Sequence, residues 1–272
     1  MVGIKSLLLL TYFWLTDAIA RVELMADDPN QRNDAAFLGT WSSTSDVDSF
    51  LSRFNHENNY TDGTTKLHVG DFIDIIDGTY NFRCRIAGFD LESSRKASDD
   101  TIYNNGYGIM LYPRWADTRT SGYWNTDNTT SGGYLNSLAH NKANTIATNI
   151  KNSILGSHLV NRNVLLSSSI GSNGSSNAYT WTTAYGVLPS VGQFRGTYAE
   201  NNTRYDDGEA NYKLPLFNYH FMIEGVDRWC RNILAKENSN YNVYYLKKYS
   251  ELFDRYAANY TSCCYDPLLY IR

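Results

Sequence analysis

Residues 72–86 read as a β-hairpin, and any fold this chain adopts has to bury one face of it. Phe72, Ile73, Ile75 and Ile76 form an apolar run, Asp77-Gly78 supplies the turn, and Tyr80, Phe82, Cys84 and Ile86 alternate with Asn81, Arg83 and Arg85 on the return. A period of two sends every second residue to the same side, so a one-residue slip would turn both arginines inward. A third strand is expected across Gly108-Ile109-Met110-Leu111-Tyr112, ended by Pro113, which brings no N–H to a ladder.

One long helix is expected over 134–154. Leu135, Leu138, Ala139, Ile146, Ile150 and Ile154 give it an apolar stripe, and Gly156 ends it. Strands resume at Val164-Leu165-Leu166 and over 179–185, with turn-rich segments at 170–178 and 199–211. Strands, one helix and then strands with long connections describe an α+β chain with a mostly antiparallel sheet, not an alternating α/β one. The main domain is expected over 66–272. Ahead of it, 25–65 read as a polar tether with a short helix, where Ser45 or Asp46 caps and Val47, Phe50, Leu51 and Phe54 share a face.

Residues 1–24 are apolar, with Leu7-Leu8-Leu9-Leu10 after Lys5 and a small-x-small Ala18-Ile19-Ala20. Three readings stand: a secretory leader, an N-terminal helix buried against a partner subunit, or an extension upstream of a start at Met25. The apolar run is too short to span a bilayer.

A net charge of −4, with lysines and arginines scattered, provides no field to hold a phosphate backbone, so nucleic acid is not an expected partner. Cys84, Cys230, Cys263 and Cys264 form no CxxC pair and lie far from any histidine at ligand spacing. They read as buried free thiols, with a disulfide from Cys84 as the other reading. His56, His68, His140, His158 and His220 are dispersed, and no serine sits in a Gly-x-Ser-x-Gly elbow. Asp71, Asp74 and Asp77 lack the dense Asp/Asn/Gly loop of the calcium motif and read as strand-edge and turn residues. No enzyme, metal or cofactor is expected from these patterns. Five Asn-x-Ser/Thr tripeptides, at Asn59, Asn128, Asn173, Asn201 and Asn259, read as coincidences of an Asn- and Thr-rich chain.

The segment 228–272 opens with Arg228-Trp229-Cys230-Arg231-Asn232 and closes with Leu268-Leu269-Tyr270-Ile271. Between these apolar anchors lies a polar stretch dominated by Asn, Tyr, Ser and Lys, with no sustained helical or strand period. Tyr supplies rigid contact area and Asn and Ser adaptable hydrogen bonds, which is the chemistry of a paratope. Candidate ligand-binding residues are Tyr241, Tyr244, Tyr245, Tyr249, Tyr256, Asn238, Asn240 and Asn242. Trp229, Arg231, Trp181 and Trp124 are the expected structural anchors. With 22 tyrosines, 6 tryptophans and only 19% charged residues, the composition suits a protein that binds through its surface or assembles with copies of itself.

Several stretches in order resemble a domain family of phage structural and tail-associated proteins. They are Leu67-His68-Val69-Gly70-Asp71-Phe72, Ala87-Gly88-Phe89-Asp90, the run from Gly122-Tyr123-Trp124-Asn125 to Gly132-Gly133-Tyr134, Gly156-Ser157-His158-Leu159, Leu214-Pro215-Leu216-Phe217, and the two closing strands at Arg228 and Asp266. That family is similar to C-type-lectin-like domains, the fold of phage tropism determinants, and the match covers 66–272. The resemblance implies an α+β domain whose C-terminal strand returns beside the N-terminal hairpin, with long loops displayed on one face. It also implies a virion location, trimeric or higher assembly, and attachment to other virion proteins through the N-terminal segment. A secreted or cell-surface location follows instead if 1–20 are a signal peptide. The calcium-binding tripeptides of the lectins are missing, Cys230 stands for the family's Leu, and Asp266 departs from its Val-Arg step. The expected role is non-enzymatic binding of a host-surface protein or glycan, with decoration of a virion head, collar or tail as the rival. Asn and Tyr in the last loops also fit the adenine-directed spectrum of retroelement-diversified proteins of this fold.

Overall fold

The structure, a computed structural model, describes residues 35–79, 81–97, 99–116, 121–171, 176–195, 213–219, 227–233, 242–246, 253–261 and 263–272. It opens with strand β1 (Phe37–Trp41) and helix α1 (Thr44–Arg53). Ser43 caps α1, two or three positions ahead of the expected Ser45 or Asp46. The Asp46 carboxylate accepts from the Ser42 N–H (2.8 Å), the Ser43 N–H (2.9 Å) and the Ser43 hydroxyl (3.0 Å), and these donors hold it below the usual carboxylate range. Val47, Phe50, Leu51 and Phe54 are buried as their spacing requires.

Strand β2 (Phe72–Ile76) pairs antiparallel with β3 (Asn81–Phe89), with Ile76 opposite Asn81, so the expected hairpin forms. Phe82, Cys84 and Ile86 are buried. Arg83 faces the other way, clasps Asp74 (2.8 and 2.9 Å) and lies 4.7 Å over the Phe72 ring. β1 pairs in parallel with β2, Phe37 opposite Phe72 and Trp41 opposite Ile75. Trp41 of β1 and Val47, Phe50 and Leu51 of α1 belong to the main core, with Leu38 packed against it, so the described part of 25–65 is not a tether. Parallel pairing joins strands distant in sequence and needs no turn motif, so β1 carries no hairpin signature.

Short strands β4 (Arg95–Lys96) and β5 (Ile102–Tyr103) pair with each other. Strand β6 (Ile109–Ala116) then runs beside β3 and does not stop at Pro113. The ladder shifts register between Arg83 and Cys84, and Cys84 is the partner of Pro113; an irregularity there removes the need for a donor. After β7 (Ser121–Gly122) comes α2 (Leu138–Ile150), started by the Ser137 hydroxyl accepting from the His140 N–H (3.0 Å). The regular helix is shorter than 134–154: residues 151–155 widen into a π turn, and Gly156 follows with φ +55°.

Strands β8 (Arg162–Ile170) and β9 (Ser176–Ala184) form a second hairpin, followed by β10 (Gly186–Val187) and the single-turn helix α3 (Val191–Arg195). A Cβ on Gly186 would meet the Ala147 side chain at 2.5 Å, so glycine lets α2 lie directly on β10. The C-terminal part contributes β11 (Arg228–Ile233), β12 (Asn242–Leu246), β13 (Phe253–Ala257), β14 (Cys263–Cys264) and β15 (Leu268–Ile271). Here the structure corrects the expectation that 233–262 lacks strands. Val243 and Tyr245 point inward while Asn242 and Tyr244 are half-buried, a period of two too short to stand out among Asn and Tyr.

Two larger sheets result. The first has the order β1-β2-β3-β6-β15-β10 and the second β13-β12-β11-β14-β7. β15 lies between β6 and β10, so the C-terminal strand shares a sheet with the N-terminal hairpin, one strand removed from it. Alternate residues of β6 and β15 feed two apolar layers. Ile109, Leu111, Leu269 and Ile271 join α1 and α2 on one side, and Met110, Tyr112, Leu268 and Tyr270 join Phe194, Leu214 and Phe217 on the other. The chain is thus α+β with mostly antiparallel pairing; β1–β2 and β11–β14 are its parallel pairs among the described strands. No helix of the described residues is long and apolar enough to cross a membrane.

Candidate functional site

Two regions gather polar and aromatic groups. The first is the C-terminal sheet. All six residues of β11 are buried, including Arg228, Arg231 and Asn232. Arg228 pairs with Asp266, with both side chains almost fully enclosed. Burial of two charges is tolerable when they meet each other and find further hydrogen bonds. Arg231 donates to the Leu188 carbonyl (3.3 Å), and the Asn232 side-chain oxygen accepts from the Val191 N–H (2.6 Å), tying β11 to the β10–α3 turn.

The anchor residues fall into place around this strand. Trp229 is fully buried and donates to the Gly122 carbonyl (2.8 Å), and Trp124 is fully buried and donates to the Cys230 carbonyl (3.2 Å). Trp181 sits on the β8–β9 hairpin instead, half-buried, edge-on to Tyr103 at 5.2 Å and donating to Asp99 (3.1 Å). Of the candidate contact residues, Asn242 and Tyr244 lie on the less buried side of β12, opposite Ala257 and Arg255 in the ladder. Tyr245 does not: at 2% exposure, opposite Trp229, it is core, because its position in the alternation turns it inward. Asn238, Asn240, Tyr241 and Tyr249 lie outside the described residues, as does the Tyr256 side chain.

The four cysteines are buried free thiols. Burial pushes the thiols of Cys84, Cys230 and Cys263 well above their ordinary range, away from the thiolate that nucleophilic or metal chemistry needs. Among the described residues no group of three His, Cys, Asp or Glu side chains is placed to hold a metal ion.

The second region is a cleft of about 660 Å³ between the end of α1, the 104–109 segment and Ile271-Arg272. Its floor is apolar, with Leu51, Phe54, Ile109 and Ile271. Its polar frame is built around Asp90, which adopts φ +56°, a left-handed conformation that Asp tolerates better than most residues. One Asp90 oxygen accepts from the Tyr60 hydroxyl and the Gly108 N–H (3.0 Å); the other meets His56 Nδ1 at 2.7 Å. Burial, then the Asp90 carboxylate, push the Tyr60 phenol far above its usual range, so it stays a donor.

With Nδ1 engaged by Asp90, His56 presents Nε2 away from the carboxylate. Its ring stacks on Tyr107 with centroids 3.6 Å apart and planes 4° from parallel. A second pair closes the other end: His158 Nε2 meets Asp48 at 2.6 Å and Nδ1 lies 2.9 Å from the Arg272 carbonyl. Arg272 donates to the Asn105 carbonyl (3.2 Å) and separates the cleft from a polar recess of about 430 Å³ that includes Asn104 and Asn161.

None of these cleft residues stood out in the sequence, because Asp90 is 34 positions from His56 and Asp48 is 110 from His158. Spacing motifs do not reach that far. Ala87-Gly88-Phe89-Asp90 and Gly156-Ser157-His158-Leu159 stood among the resembling stretches, but neither indicated a pairing. The arrangement can bind and orient a small ligand. It does not form a Ser–His nucleophile, since the Ser52 hydroxyl on the cleft wall donates to the Ser49 carbonyl (2.8 Å). Comparison with protein-family models, curated proteins and solved structures returns no match, so the residues themselves carry the functional reading.

Proposed function

We propose that this chain is a C-type-lectin-like display domain of a phage virion or surface protein, non-enzymatic, that binds a host-cell-surface ligand through its C-terminal sheet. The observation that carries the reading is the division of labour in that sheet. β11 is buried at every position, while β12 buries Val243, Tyr245 and Leu246 and leaves Asn242 and Tyr244 half-buried, Tyr244 at the edge of the second apolar layer. The polar segments 234–241, with Asn238, Asn240 and Tyr241, and 247–252, with Tyr249, join β11 to β12 and β12 to β13, so paired strands anchor both ends of each. Tyr and Arg carry much of the energy of known interfaces, and a rigid base lowers the ordering cost of binding. The shared sheet of hairpin and C-terminal strand also supports the family resemblance.

Diversification by a retroelement would act on this same side of the sheet. It would be expected to spare Tyr245, whose loss would open the core. A reverse-transcriptase gene and a template repeat beside the coding sequence test that part. Assembly as a trimer attached through the N-terminal segment belongs to the same reading.

The test is binding of the full-length protein to a panel of bacterial cells, with and without Asn242→Ala and Tyr244→Ala together. Loss of binding in a variant with unchanged circular dichroism is the expected result. A wild-type protein that binds no cells but assembles onto particles would replace this reading with a decoration role.

A further inference from the structure

We propose that the α1–Arg272 cleft is a second, independent binding site, for a neutral sugar of one or two rings. Its volume of about 660 Å³ falls within the roughly 300–1,000 Å³ typical of small-molecule sites. The floor of Leu51, Phe54, Ile109 and Ile271 is apolar, and the rim is polar and aromatic.

Three features select the ligand class. First, Tyr107 is 53% exposed although it is a large aromatic, and its stack on His56 immobilises the ring. The imidazole covers one ring face, and the half of the side chain that stays exposed offers an aromatic surface of the kind the C–H face of a pyranose packs against. His56 is in turn fixed by Asp90, and Asp90 by Tyr60 and Gly108, so the platform is braced from the core outward.

Second, polar capacity is left over. Glu57 on the cleft wall is exposed and has no hydrogen-bond partner among the described residues, and its two oxygens can accept from adjacent hydroxyls. His56 Nε2 and the guanidinium nitrogens of Arg272 beyond Nη1 complete a mixed set of donors and acceptors, which polyhydroxylated ligands require.

Third, the lining carries both signs of charge. Asp48 and Glu57 are its carboxylates and Arg272 its one arginine or lysine, and Asp48 is already engaged by His158. A phosphate would face the carboxylates and a polyamine the guanidinium. A neutral ligand meets neither penalty.

Saturation-transfer NMR on the full-length protein tests this, with methyl α-mannopyranoside, methyl β-galactopyranoside and N-acetylglucosamine as probes and inorganic phosphate and spermidine as charged competitors. At least one sugar should give ring-proton transfer that neither competitor displaces. Tyr107→Ala, at an exposed site, and the isosteric Glu57→Gln should each weaken it about tenfold. Tyr244→Ala should leave it unchanged, which separates this site from the C-terminal sheet. A folded wild type silent with all three sugars, transfer that survives Tyr107→Ala, or displacement by phosphate or spermidine would each overturn the proposal.

Discussion

The cleft and the C-terminal sheet are two opposite ways of placing polar groups beside a core. In the sheet they are neighbours in sequence along β11 and β12: β11 buries all of its polar groups, and in β12 alternation separates Tyr245, turned inward, from half-buried Tyr244. In the cleft they come from distant parts of the chain and hold one another through hydrogen bonds, so no single strand or helix contains the site. Substitution should therefore act steeply and position by position in the sheet. In the cleft it should act more gently, and through partners.

The largest expected effect is at the base of the sheet. Asp266→Ala leaves the enclosed Arg228 guanidinium without its carboxylate and should cost about 3–5 kcal/mol, measured as a shift in urea-unfolding free energy. A loss below about 1 kcal/mol would show that water reaches the pair. Next comes the contrast between adjacent tyrosines. Tyr245→Ala should cost on the order of 3 kcal/mol, and Tyr244→Ala below about 1 kcal/mol, in the same assay. Equal losses would mean that alternation does not govern β12.

Acid titration separates the core from the cleft. His140, buried on α2 and edge-on to Tyr134 at 5.0 Å, is pushed down by burial to about 4 from an ordinary 6.5. Its folded-state value lies below its unfolded one, so the unfolded chain takes up the proton first. Stability should be complete above about pH 6.5 and fall as pH drops towards 4, by up to about 3 kcal/mol. His140→Leu should remove that limb from urea midpoints followed across pH. A limb that persists in His140→Leu would point to the ion-paired groups of the cleft. The smallest effect outside the sheet is Asp90→Asn, which keeps a residue tolerant of positive φ but weakens the bonds to His56 and Tyr60. It should cost about 1–2 kcal/mol and, in the ring-proton NMR of His56, release the imidazole from its stack on Tyr107.

The legible parts of this protein share one property. The Asp77-Gly78 hairpin, the α1 face of Val47, Phe50 and Leu51, and the α2 stripe are all written within one or two turns of local sequence. The illegible parts share the opposite one. β1 was hidden because its partner strand begins at Phe72, and the continuation of β6 through Pro113 because the irregularity opposite lies in β3. β12 and β13 were hidden because each runs only five residues, in a stretch where Asn and Tyr mask the period. Among candidate contacts, composition selected Tyr244 and Tyr245 alike, and only the ladder told them apart.

Sequence by itself determined the class of the fold, the hairpin, both longer helices and the burial of Trp124, Trp229 and Leu268-Leu269-Tyr270-Ile271, because periodicity and turn chemistry act over distances shorter than an element. Tertiary structure alone decided that residues 37–54 join the main core, that β15 lies between β6 and β10, and that His56 meets Asp90 while His158 meets Asp48. Those pairings depend on how separate elements pack, and no local pattern of residues encodes the distance between two points that the chain reaches only after folding.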